Sequence, residues 1–371
     1  MLRIQAGNPV TGTDFIGRED EINQIISFLK MGQSVVILAP RRFGKTSLVL
    51  EILSRLGSSK NYTAFVDVFS SPTIPLLSTH IIESVLKNHK LDRIFTKSRH
   101  SALAMIKNVN LKTVLDDFEF ILGFAEREPD RWQMLGESID FVDNFAIKHN
   151  KAMYCAFDEF GDIKKLNGDK ITKLFRSKIQ QHKQSAYLFS GSYESVMNTI
   201  FVDKSSPFYR FARIIRLGFI DKDAFKAKYQ YYFDSYKINY KDKFINKILN
   251  FTQGHPYYSQ LALQETIIFH TLNLRLPKFS ELQNILENTE RSYLEKTWED
   301  VSKKRENVLA LLALSKSGEK VYSVLQNQGI NAYRALQSLL STGLISKTKG
   351  NGYHLNDPLL EVWIRKNILK A

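Results

Sequence analysis

Apolar and polar positions along this chain change period in blocks, and the blocks predict its elements. Residues 35–38, Val-Val-Ile-Leu, read as a strand buried on both faces. Upstream, Glu19, Asp20 and Glu21 place acids in a first helical turn, where the dipole favours them. Ile22, Ile25, Ile26 and Leu29 follow at helical spacing until Gly32. Downstream, residues 48–56 are apolar-periodic and predict a helix, residues 64–68 a second strand, and residues 76–86 a helix after the breakers Ser71, Pro72 and Thr73. Residues 90–131 read as an inserted segment, with weak alternation over 112–124 that suits a hairpin turning near Asp116 and Asp117. Helical spacing returns over 135–147. Continuous apolar runs then occupy 152–157 and 186–189, and residues 214–219 predict a further strand. Strand and helix signals thus alternate from residue 15 to about 219, which predicts a mostly parallel sheet with helices on both faces.

Beyond Asp221 the strand signals stop. Phe225, Tyr229, Tyr232 and Phe233 open an aromatic-rich helical stretch. Gly254-His255-Pro256 interrupts it before a helix over 257–270, and one further helix is expected over about 279–300. The last stretch predicts helices over 308–314, 321–326 and 332–342. Two short strands follow, joined by a turn at 349–352, which is the pattern of a winged helix. The expected organisation is an α/β unit over 1–220, a helical unit over 221–302 and a winged helix over 303–371.

The candidate chemistry lies at the junction of the first strand and its helix. Ala39-Pro40-Arg41-Arg42-Phe43-Gly44-Lys45-Thr46-Ser47 departs by one residue from the phosphate-binding pattern G-x-x-x-x-G-K-[ST]. Backbone N–H groups of such a loop, together with the helix N-terminus, favour an anion. Lys45 would add charge for β- and γ-phosphates, the Thr46 hydroxyl can ligate Mg²⁺, and Gly44 permits close approach. Ala39 is the departure, and it would cost affinity if the loop required a positive φ there. The run over 152–157 ends in Asp158 and Glu159, beyond the carboxyl end of a strand, where ligands of open α/β sheets sit. Asp158 is the candidate Mg²⁺ partner and Glu159 the candidate for activating water. Ser190 and Ser192 end the neighbouring strand and could sense a γ-phosphate, although Ser-Gly-Ser is also an ordinary turn. Arg210 and Arg213 could place a guanidinium on that phosphate. His255 and Pro256 start a helix that could close over a nucleotide.

Charge extends this picture. Lys and Arg number 52 against 38 Asp and Glu, a net charge of +14 that favours a polyanion or an acidic partner. Residues 303–371 alone hold eleven Lys or Arg against four Asp or Glu. Arg334, Lys347 and Lys349 would meet phosphates if that unit bound DNA, yet the helix over 332–342 carries only one basic residue. Cys155 is the only cysteine, which excludes intrachain disulfides and cysteine-cluster metal sites. With no apolar leader at the start and no membrane-length apolar run, a cytoplasmic location without membrane contact is expected.

The segments Phe15-Ile16-Gly17-Arg18-Glu19-x-Glu21-Ile22, Ala39–Ser47, Phe157-Asp158-Glu159-Phe160, Phe189-Ser190-Gly191-Ser192, Gly254-His255-Pro256 and Asp357-Pro358-Leu359-Leu360-Glu361-Val362-Trp363 together resemble the archaeal-type STAND ATPases of the AAA+ superclass. The resemblance runs over most of the chain. It implies an ASCE-type P-loop NTPase domain, a helical lid carrying the Gly-x-Pro turn, and a C-terminal winged helix. It implies ATP or ADP with Mg²⁺, and a segment Phe15, Ile16, Gly17 and Arg18 flanking adenine. Family members usually carry Gly where Ala39 stands, and Gly-Arg where this chain has Tyr209-Arg210, so the resemblance leaves open which of Arg210 and Arg213 acts. Three readings follow: a slow ATP-hydrolysing switch that could assemble on activation, a DNA-binding protein with an assisting ATPase, and a scaffold with a degenerate nucleotide site.

Overall fold

The computed structural model describes residues 4, 6–88, 130–192, 194–317, 321–348 and 352–370. The hairpin expected over 112–124 and the turn residues 349–351, Lys349 among them, lie outside these. Five parallel strands form the central sheet: β1 (Val35–Leu38), β2 (Asn61–Asp67), β3 (Ala152–Asp158), β4 (Ser185–Gly191) and β5 (Arg213–Arg216), in the order β2-β3-β4-β1-β5. β1 lies between β4 and β5 and is covered on both faces, which is why all four of its residues are apolar and buried. Each such side chain contributes about 1.5–3 kcal/mol by leaving water.

Helices α1 (Glu19–Lys30) and α2 (Lys45–Leu56) cover one face of the sheet. α3 (Ile74–Leu86), α4 (Arg131–Lys148), α5 (Ile163–Ile179) and α6 (Glu194–Phe201) cover the other, around a cluster of Phe157, Phe160, Phe175, Phe189 and Phe208. β5 ends earlier than the strand expected over 214–219. Gly218 leaves the ladder to accept a hydrogen bond from Arg18, and Phe219 leaves it to stack on Phe43.

The helical unit holds α7 (Lys222–Ser235), α8 (Asp242–Thr252), α9 (Pro256–Asn273), α10 (Phe279–Thr289) and α11 (Arg291–Ser302). The single helix expected over 279–300 is two, separated by Glu290 (φ −99°, ψ 8°). The final unit has α12 (Arg305–Ser317), α13 (Val321–Asn327) and α14 (Ala332–Ser341), the antiparallel pair β6 (Ile345–Lys347) and β7 (Tyr353–Leu355), and α15 (Pro358–Asn367). One apolar core runs without a break from Phe225 through Leu294 to Ile364. Among the described residues the packing therefore shows no gap near residue 302.

Gly254 is required where this unit meets the sheet domain. Its φ is +75°, and a Cβ there would lie 2.1 Å from the Ile220 carbonyl oxygen. Among the described residues no helix is long and apolar enough to cross a membrane.

Candidate nucleotide site

A cavity of about 620 Å³ opens at the carboxyl ends of β1, β2 and β3, within the size range of small-molecule sites. The loop between β1 and α2 forms its floor. The loop takes positive φ at Arg42 (66°) and Gly44 (77°), whereas Ala39 stays out of the left-handed region and packs in the core. The departure from glycine at residue 39 therefore carries no backbone strain. The non-glycine strain falls on Arg42, at a cost of order 1–3 kcal/mol.

Lys45 opens α2. Its buried ammonium donates to the Ala39 carbonyl at 2.9 Å and the Pro40 carbonyl at 2.8 Å. Burial pushes its pKa down to about 8, against the opposing pull of Glu159 and Asp158. Beside it, Thr46 Oγ1 donates to Asp158 Oδ2 at 2.6 Å. Asp158 Oδ1 accepts from the fully buried Ser190 hydroxyl. Ser190 thus faces Asp158, and a γ-phosphate-sensing role for it has no support in this geometry. Glu159 takes a left-handed conformation (φ 49°). Its carboxylate is held by the Ser192 backbone N–H at 2.9 Å and by the Ser192 hydroxyl.

Phe15, Ile16, Arg41, Arg42, Ser47 and Pro256 also line the cavity. Arg18 reaches its wall, but its buried guanidinium donates to the carbonyls of Phe43 (3.2 Å) and Gly218 (2.8 Å), tying the lead-in to the back of the loop. Gly17, Pro40, Phe43 and His255 lie behind the lining. Phe43 stacks on Phe219 and meets the His255 ring edge-on at 4.8 Å. Pro40 faces Gly343 of the last unit, where a Cβ would come within 3.6 Å of it. His255 caps α9, accepting from the Tyr258 N–H, and burial pushes its pKa down to about 3, with Arg42 adding to the shift.

Arg210 and Arg213 correct the sequence reading. Arg213 pairs with Val35 at the start of β1, its guanidinium over Phe28. The loop leaves β1 after Leu38, three residues or about 10 Å further along the strand. Arg210 precedes Arg213 in the same turn and lies over the Tyr209 ring. Both sit at the opposite end of the sheet, so a guanidinium on a phosphate bound within this same chain does not come from them.

Several site residues escaped the sequence reading. Asp67 ends β2 opposite Asp158 and lines the cavity, its pKa raised by burial, with Asp158 adding to the shift. Its signal was the Phe-Val-Asp strand end, which repeats the Phe-Asp ending of β3. Residues 7–10 of the lead-in form another wall, anchored by Val10 N–H on Ser47 Oγ (3.1 Å) and Gly12 N–H on Glu51 (2.7 Å). Glu290 binds Arg42 Nη1 at 2.6 Å. No local pattern announces either contact.

The donor set suits a hard, oxygen-preferring cation. It offers one hydroxyl and one carboxylate already in contact, and among the described residues no cluster of three or more His, Cys, Asp or Glu forms a metal cage. That is how Mg²⁺ is usually held beside phosphates.

A model of an ATPase domain found predominantly in Archaea matches residues 15–262. The chain is similar in fold to a Walker-type ATPase of Pyrococcus abyssi, at 18% identity and a TM-score of 0.71, covering 97% of this chain and 99% of that one. It is also similar to the ADP form of the Aeropyrum pernix ORC2 protein, at 12% identity and a TM-score of 0.51, covering 95% of each. No curated protein matches it in sequence.

Proposed function

Because the chain belongs to the family of ATPase domains found predominantly in Archaea, and so is an ATP-hydrolysing enzyme, we propose that it works as a nucleotide-driven switch. In this reading hydrolysis repositions the helical lid and the winged helix. The observation that carries the site is the meeting of Lys45, Thr46, Asp158 and Glu159 in one cavity, although the last two lie more than a hundred residues from the first two.

Thr46 and Asp158 would hold Mg²⁺, which when bound neutralises phosphate charge. Lys45 would exchange its carbonyl partners for phosphate oxygens, a stronger charge-assisted pairing. Glu159 would accept a proton from water, with Ser192 holding its carboxylate in orientation. The lead-in and α9 would exclude solvent on the base side. The switch reading draws support from the contacts of the loop with both later units: Pro40 faces Gly343 of the last unit, and Phe43 meets His255 of the helical unit edge-on. Mg²⁺-dependent ATP turnover of the full chain tests the reading. Lys45→Ala and Glu159→Gln should each lower it by at least about 10²-fold. Unchanged turnover in both would sink the site assignment.

A second reading has one favourable observation. α14 leaves Tyr333 and Arg334 exposed, and Lys347 is exposed on β6, in a basic unit. Binding of duplex DNA through this face would weaken steeply with salt. Affinity that ignores salt, or no affinity, counts against it.

A further inference from the structure

Arg42 stands between the cavity and the lid, and its surroundings are unusually complete. It lies in the phosphate loop in a strained left-handed conformation and lines the cavity. Its guanidinium sits between the rings of Tyr257 on α9, 4.3 Å from the centroid, and Tyr293 on α11, at 4.4 Å. At its tip, Nη1 pairs with Glu290 Oε2 at 2.6 Å. Glu290 is the single residue that separates α10 from α11, and its side chain is only 6% exposed. Its other oxygen accepts from the Tyr257 hydroxyl. The neighbouring Tyr258 hydroxyl donates to Asp357 Oδ2 at 2.7 Å, and Asp357 caps α15 of the last unit through the Leu360 N–H. Loop, lid joint and winged helix are therefore joined through contiguous charged and aromatic contacts.

We propose that the Arg42–Glu290 pair is a phosphate-sensitive latch: the terminal phosphate of a nucleoside triphosphate draws Arg42 away from Glu290 and frees the lid, whereas a diphosphate leaves the pair closed. The inference rests on the nucleotide site proposed above. Only Nη1 of the guanidinium is engaged by Glu290, and a terminal phosphate, which the planar fork fits as well as it fits a carboxylate and which carries more negative charge, competes for it. Withdrawing Arg42 leaves Glu290 as a nearly buried charge with one hydroxyl partner, a costly state that swinging α10 and α11 into water relieves. The joint at Glu290 is the natural place for that movement, because the helix is already interrupted there. Ligand binding moves such an equilibrium only through a difference in contacts between its two states, and Arg42 supplies that difference.

The test is amide hydrogen exchange over residues 279–302 of the full chain, with Mg²⁺ and either ADP or the non-hydrolysable β,γ-imido ATP. In the wild type, the imido analogue should raise exchange at least about tenfold over ADP, a shift of about 1.4 kcal/mol in the opening equilibrium. Arg42→Gln, which leaves Glu290 charged without its partner, should show the raised exchange without nucleotide, and Glu290→Gln, which removes the buried charge, should stay protected with either ligand. The double exchange Arg42→Glu with Glu290→Arg should restore protection in the nucleotide-free chain. Equal exchange with ADP and the imido analogue, in a wild-type protein that binds both, overturns the latch and leaves the nucleotide site standing. Binding of neither nucleotide overturns both. An Arg42→Gln chain as protected as the wild type, with native circular dichroism, overturns the latch as well.

Discussion

Thr46 Oγ1 and Asp158 Oδ2 lie 2.6 Å apart although 112 residues separate them in the chain. The contact exists because β3 runs parallel to β4 and β4 to β1, so the carboxyl ends of β1 and β3 open on one side of the sheet. Replacing either the hydroxyl or the carboxylate would weaken the two-donor site proposed for Mg²⁺. Thr46→Ala and Asp158→Asn should each lower turnover by about 10²–10³-fold and raise the Mg²⁺ concentration needed for half activity. Thr46→Ser, which keeps the hydroxyl, should retain most of the activity. A Mg²⁺ titration of ATP turnover checks all three.

Lys45 makes nucleotide affinity depend on pH. In the nucleotide-free chain its pKa lies near 8, because burial disfavours the charged form. Phosphate favours that form, so binding above pH 8 takes up a proton. Affinity should therefore weaken as pH rises from about 8 toward 10, by up to about tenfold per unit, and hold steady between pH 6 and 7.5. Titrations with fluorescent ADP across this range measure the slope, and calorimetry in two buffers of different ionisation enthalpy counts the proton. Lys45→Ala should show neither.

His255 works in the other direction, on acid stability. Its folded pKa is pushed down to about 3 by burial and, secondarily, by Arg42. An unfolded histidine titrates near 6.5, so the unfolded chain binds the extra proton first as pH falls. The stability is fully present above about pH 6.5 and is lost progressively between about 6.5 and 3. His255→Asn keeps an acceptor at the start of α9 and removes the titration, so its Tm should fall less steeply than that of the wild type between pH 6.5 and 4. Thermal melts at several pH values decide it.

Arg210 and Arg213 occupy the amino-terminal end of the sheet. Alanine at both positions should leave the affinity for β,γ-imido ATP, which carries the γ-phosphate, within about twofold of the wild type at low protein concentration, as expected for surface substitutions away from a site. A loss of tenfold or more under those conditions would show that the arginines reach the nucleotide within one chain.

The elements were legible in the chain wherever the pattern was strong. Val35–Leu38, Lys45–Leu56 and Ala152–Asp158 announce themselves through unbroken apolar runs or helical spacing. The break at Glu290 was not legible, because Leu282, Leu286 and Leu294 keep helical register across it. The extent of β5 was not legible for a related reason: Leu217 still bonds Leu38 of β1 through its N–H, whereas Phe219 is apolar because it stacks on Phe43 of the phosphate loop and not because it pairs in the sheet.

By itself, then, the sequence determined the order of strands and helices, the phosphate loop, and the pairing of Asp158 and Glu159 with it. All of these depend on local period, local chemistry and the position of a residue at a strand end. Only the tertiary structure decided that Arg213 lies beside Val35 and not beside Lys45, that Ser190 bonds Asp158, and that Glu290 holds Arg42. Strand register and the docking of a distant helix bring together residues with no fixed spacing in the chain, and an arginine reads alike on either end of a sheet until its neighbours are known.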